Sequence, residues 1–152
     1  MADPTYLVLV VLHIACAATM FGIALPVGSA LGRATTAGRD VKAAAAVMAN
    51  RVNSISGLFA VLTIGSGLAL IFYRGGFKAV PPTIHGALGL MMIMLVVGAV
   101  IERPTVKRLT IAADKSNEEW AALRKRYAMS TGILQLLWLV TLVLMFVKPA
   151  VG

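Results

Sequence analysis

Charge and acidity are scarce in this chain. Of its 152 residues only 13% are charged and only 6 are Asp or Glu, against 59% hydrophobic. A soluble domain of this length has no interior large enough for that much apolar surface. A single cysteine, Cys16, excludes an intrachain disulfide and a cysteine metal cluster. HExxH, Walker, GxSxG and CxxC patterns are all missing, so no zinc-protease, phosphate-loop, hydrolase-elbow or thioredoxin-like chemistry is signalled. There are only 2 histidines, His13 and His85.

The few charges are clustered and leave four long apolar stretches between them. Each exceeds the ~20 helical residues needed to cross a hydrocarbon core of ~30 Å. They are too long and too uniformly apolar for barrel strands. The expectation is one all-α domain over residues 1–152, an integral membrane up-down-up-down four-helix bundle with helices at about 5–31, 42–73, 82–102 and 117–147. The start Met1-Ala2-Asp3-Pro4 lacks the basic region of a cleavable signal, and Asp3-Pro4 suits a helix start.

Local chemistry marks several breaks. Pro26 should kink the first helix. Arg74-Gly75-Gly76 and Val80-Pro81-Pro82 bound the short second loop, and Lys148-Pro149 closes the fourth helix. Ser116, followed by Glu119, has the spacing of a capping box. Met91, Met92 and Met94 fall on different helix faces, which favours packing over copper ligation. Glu102 reads first as a helix-end ion pair with Arg103, and second as a proton-uptake group. Arg51, near the basic end of helix two, reads as a snorkelling side chain.

The net charge of +8 could suggest a nucleic-acid partner in a soluble protein. Here the basic residues concentrate in the first and third loops, which hold ten of them (Lys42 and Lys115 included) against three in the second loop and tails. The positive-inside rule then puts those loops in the cytoplasm and both termini outside, with no nucleic acid implied. The expected location is a bacterial inner membrane, with the lipid bilayer as the first partner.

The two histidines carry the chemical expectation. An ionisable group inside the membrane is costly and reads as functional. His13 and His85 fall on helices one and three, which run in the same direction. Counting ~1.5 Å per residue, their depths differ by ~7 Å, less than the uncertainty in the helix starts. In a four-helix square these helices are diagonal neighbours, so two imidazoles facing the axis could meet across a metal. Thin walls suit a porphyrin: Cys16 and Ala17 follow His13, Gly86 and Gly89 follow His85, and helix two offers Gly65 and Gly67. Trp138 and Thr141 fall at the same estimated level on helix four. Arg74 and Lys78 lie just outside, where cations recognise propionates. An axial imidazole also needs an acceptor for its other nitrogen, from a backbone carbonyl, Thr19 or Thr141. The expectation is a haem b with His13 and His85 as axial ligands. The alternatives are one histidine as ligand with the other handling protons or substrate, structural roles for both, and copper in place of haem.

The segment Leu12-His13-Ile14-Ala15-Cys16-Ala17-Ala18-Thr19-Met20-Phe21-Gly22 resembles the first-helix pattern L-H-I/V-x-A-x-x-x-x-x-G of a group of small four-helix bacterial membrane proteins. Ile84-His85-Gly86 at the head of helix three, and Ile101-Glu102-Arg103-Pro104 at its exit, extend the resemblance to uncharacterised predicted integral membrane proteins. The group includes the copper-resistance CopD-type membrane domain and HemJ-type protoporphyrinogen oxidase. Likeness to the HemJ type implies b-type haem on His13, and likeness to the CopD type implies copper movement across the membrane. The leading expectation is one-electron transfer, with a quinol or a partner subunit as redox partner. A porphyrinogen- or quinol-oxidising membrane oxidoreductase and a copper or haem transport or assembly protein follow it. The small-residue faces suit dimerisation.

Overall fold

The computed structural model describes residues 3–114 and 116–146. Lys115, Lys148 and Pro149, which figure in the loop charges and the end of the fourth helix, lie outside the described residues. Four helical spans cover Pro4–Ala34, Arg39–Tyr73, Pro82–Ala112 and Asn117–Phe146, each long and apolar enough to cross a membrane. Two of them are interrupted. The elements are α1 (Pro4–Gly22), α2 (Leu25–Ala34), α3 (Arg39–Tyr73), α4 (Pro82–Val97), α5 (Arg103–Ala112) and α6 (Asn117–Phe146). A 3-10 turn at Phe77–Ala79 precedes α4, and a π-helical turn at Gly98–Glu102 joins α4 to α5.

Both interruptions have the same cause. Proline has no N–H to donate, and its ring collides with the carbonyl four residues earlier. For Pro26 that carbonyl belongs to Gly22, where α1 ends. For Pro104 it belongs to Val100, inside the π turn, and there the helix widens instead of breaking: the Arg103 N–H donates to the Gly98 carbonyl. The third span consequently runs about ten residues beyond Glu102, the end expected from the sequence.

The helix ends follow from side-chain and glycine chemistry. Asp3 caps α1 by accepting from the Thr5 N–H at 2.8 Å. Ser116 Oγ accepts from the Glu119 N–H at 3.3 Å at the start of α6. Gly75 (φ +98°) and Gly76 (φ +89°) turn the chain out of α3 in the left-handed region. The Gly76 N–H reaches the Ile71 carbonyl at 2.9 Å, the 6→1 bond of a Schellman ending.

The helices pair unequally. α1 packs chiefly on α3, and α4 chiefly on α6. The two pairs are tied together at the end carrying the first and third connections, where α2, the first turns of α3, α5 and the first turns of α6 share a core. Val27, Leu31, Val106, Leu109 and Trp120 are fully buried there, with Ala34, Ala46 and Ala49 allowing close approach. Lengths explain this placement. A 31-residue span is about 46 Å long at ~1.5 Å per residue, against ~30 Å of hydrocarbon. A surplus lying at the basic end would meet water, which drives apolar burial into a core. Along the rest of the helices large side chains stay exposed, among them Val8, Val11, Leu136 and Val143. That outward apolar surface suits lipid, which is as apolar as leucine itself.

Lys42, counted among the loop charges in the sequence, is buried in this basic-end core. Its Nζ donates to Asn117 Oδ1 and lies 5.9 Å from the centroid of the Trp120 ring. At the opposite end Tyr73 donates to Asp3, Arg74 donates to the Tyr6 hydroxyl, and the Tyr6 and Tyr73 rings lie 5.9 Å apart. This clasp joins the start of α1 to the end of α3.

Candidate functional site

His13 sits on the face of α1 that packs against α3 and is partly buried. Its Nδ1 lies 3.0 Å from the Thr63 carbonyl and 3.1 Å from Ser66 Oγ. A carbonyl only accepts, so Nδ1 carries the proton. Ser66 spends its own proton on the Leu62 carbonyl at 2.8 Å, so its oxygen also accepts from His13. Nε2 is therefore the nitrogen with a lone pair, and among the described residues it has no partner. Gly67 makes this seat fit: a Cβ there would lie 3.1 Å from His13 Cε1. Thr19 and Thr141 do not serve the imidazole: the partners of His13 Nδ1 are Thr63 and Ser66, while the Thr19 and Thr141 hydroxyls donate to the Ala15 and Leu137 carbonyls of their own helices.

His85 occupies the first turn of α4 and is exposed. Its Nδ1 lies 3.3 Å from the Pro81 carbonyl, and its ring centroid is 5.9 Å from that of Phe77. It thus holds the same tautomer as His13. The two histidines belong to different helix pairs, His13 to α1–α3 and His85 to α4–α6.

The other residues singled out in the sequence divide accordingly. Cys16 is buried one turn below His13, Ala17 is partly buried, and Gly67 touches the His13 ring. A Cβ on Gly65 would meet nothing within 4 Å. One on Gly86 would meet Leu144 of α6 at 3.7 Å, and one on Gly89 would meet nothing within 4 Å. Arg74 is engaged by Tyr6, and Lys78 is exposed on the 3-10 turn. Trp138 stacks on Phe21, centroids 4.4 Å apart, which places it about 12 Å along α1 from His13 at ~1.5 Å per residue. Thr141 is buried one turn nearer the His13 level. Among the described residues no three His, Cys, Asp or Glu side chains gather where they could hold a metal ion.

A second constellation lies nearer the basic end. A cavity of about 260 Å³ opens between the two helix pairs and is lined by all four spans. Its upper walls are apolar: Met20 and Phe21 from α1, Met91, Met94 and Leu95 from α4. Its lower end is polar: Asn53 from α3, Glu102 and Arg103 around the π turn, Thr131 and Gln135 from α6. Thr131 Oγ1 donates to Glu102 Oε1 at 2.7 Å. Glu102 and Arg103 form no ion pair with each other among the described residues, which departs from the helix-end pair expected from the sequence. Instead the π turn sends the carboxyl across to α6, and the Arg103 guanidinium passes near Gly57 of α3. The one signal for this site in the sequence was Glu102 itself, with Pro104 two residues on.

No family model, no curated protein and no solved structure matches this chain.

Proposed function

We propose that this protein binds a b-type haem on His13 and serves one-electron transfer in the membrane. The observation that carries the reading is the His13 seat. Its Nδ1–H is spent on Thr63 and Ser66, and its Nε2 is left as a donor. Metal-binding imidazoles are oriented in this way by an acceptor on the far nitrogen. His85, with Nδ1 toward the Pro81 carbonyl, presents the same donor and is the proposed second ligand. Imidazole is a suitable donor for iron. The resemblance of the first helix to HemJ-type proteins points the same way.

A bound haem supplies a one-electron couple. The chain's own part is to fix the Nδ1 proton on Thr63 and Ser66, which leaves the lone pair on Nε2, and to keep the Gly67 face thin. Two protein ligands would leave the iron no open position, which favours electron transfer over oxygen activation. The proposed setting is a bacterial inner membrane with the basic end in the cytoplasm, as the concentration of lysine and arginine there suggests.

The test is haem binding by the purified protein and by His13→Ala and His85→Ala. Bis-histidine ligation predicts that either substitution abolishes the low-spin spectrum. Loss with His13→Ala alone would remove His85 from the ligand set. Retention of the spectrum in both variants would refute the proposal.

A further inference from the structure

We infer that the cavity beside Glu102 is a binding site for a membrane-soluble amphiphile with an uncharged aromatic hydroxyl head, the chemistry of a hydroquinone. The site does not involve the histidines and goes beyond the haem reading.

The first observation is the shape of the cavity. Its apolar wall runs along α4 from Met91 to the Glu102 end, about 16 Å at ~1.5 Å per residue. Its rim residues Val61 and Ala99 are exposed. An occupant enters sideways from lipid, between the α1–α3 and α4–α6 pairs, and lies along the helices with its head toward the basic end.

The second observation is the polar end. The Glu102 carboxyl takes one hydrogen bond, from Thr131, and carboxyl oxygens accept several. It therefore asks for a donor. Arg103, also at this end, asks for an acceptor, and the amides of Asn53 and Gln135 each offer both a donor and an acceptor. A cationic head would meet the Arg103 guanidinium, and an anionic head would meet the side-chain oxygens of Glu102, Asn53 and Gln135. A hydroxyl both donates and accepts and carries no charge, so it satisfies both sides.

The third observation is the wall above that end. Met20 of α1 and, eight and eleven residues before Glu102 on the third span, Met94 and Met91 offer thioethers along its length, and Phe21 offers a ring already stacked on Trp138. Sulfur and aromatic edges contact a flat ring favourably, and unbranched methionine adapts to its outline. A saturated chain would gain nothing particular from these groups.

Calorimetric titration of the full-length protein in mild detergent tests the inference, with a decyl-tailed hydroquinone as probe under anaerobic conditions and 1-dodecanol as the comparison. Saturable, one-to-one binding of the hydroquinone is expected, with dodecanol much weaker. Glu102→Leu should weaken the hydroquinone about tenfold, since the head loses its hydrogen bond to the carboxyl. Ala60→Phe should abolish binding by filling the cavity from α3, and Leu95→Trp should do so from α4. Two blocking variants on different helices keep the test decisive if one fails to fold. No saturable hydroquinone binding, or unchanged affinity in both Glu102→Leu and a folded blocking variant, would overturn the inference. Equal affinity for dodecanol would overturn the aromatic assignment. Haem content, read separately from the visible spectrum, leaves this result and the haem proposal free to fail independently.

Discussion

Substituting Gly67 probes the His13 seat directly, because the consequence is set by one distance. A Cβ at Gly67 would lie 3.1 Å from His13 Cε1 and 3.5 Å from Nδ1. In Gly67→Ala the ring must withdraw by a few tenths of an ångström. The Nδ1 bond to Thr63, at 3.0 Å, can lengthen by that amount and remain a hydrogen bond. Replacing a helical glycine by alanine also gains up to ~1 kcal/mol of backbone preference. The net effect on stability should lie within ~1 kcal/mol of zero. Gly67→Leu is different, because its branched side chain claims the space of the ring. Overpacking costs ~1–3 kcal/mol and a lost hydrogen bond ~0.5–1.5 kcal/mol, so about 2–4 kcal/mol is expected. Gly65→Ala is the control: nothing lies within 4 Å of its Cβ, and a neutral or stabilising change is expected. Unfolding in detergent measures the stabilities, and nitrogen-15 NMR of labelled histidine reports whether Nδ1 stays bonded. A Gly67→Leu protein with wild-type stability and an undisturbed His13 resonance would refute the packing argument.

Other expectations concern the rest of the molecule. Leu109→Ala, at a fully buried site in the basic-end core, should cost ~2–5 kcal/mol. Leu136→Ala, at a site 63% exposed toward lipid, should cost under ~1 kcal/mol in bilayer nanodiscs. Equal losses in equilibrium unfolding would contradict a core confined to one end. Pro104→Ala restores an N–H opposite the Val100 carbonyl, so the π turn should revert to α-helix and the Thr131–Glu102 bond should be lost. Slow hydrogen exchange of the newly introduced amide, together with a weakened hydroquinone titration, is the expected signature. Fast exchange of that amide would show that proline does not hold the π turn.

Much of the architecture could be read from the residues. Four apolar stretches separated by charges have one structural solution in a membrane. The Pro26 break and the Ser116 cap follow from local chemistry that does not depend on the fold. The helix pairing was not legible. α1, α4 and the later turns of α6 are apolar on nearly every side, so no face of any of them declares its neighbour. The seat of His13 was legible only in part. Gly67 stood out as a thin position at the matching depth, but the bonds to Thr63 and Ser66 depend on the rotation of α3. The burial of Lys42 was hidden for the same reason. A lysine beside a loop reads as a solvated charge until Trp120 and Asn117 arrive from α6. The Glu102 cavity is assembled from polar residues that are isolated in sequence, at positions 53, 102, 131 and 135. Only the Pro104-induced π turn and the packing of all four spans bring them to one place.

The visible spectrum of the protein purified in mild detergent, recorded oxidised and after dithionite, tests the haem proposal most directly. Sharp reduced α and β bands with a shifted Soret band are predicted for a low-spin, bis-histidine haem b. A protein that stays colourless even after haem is offered would contradict that proposal and leave His13 as a hydrogen-bonded tie between α1 and α3.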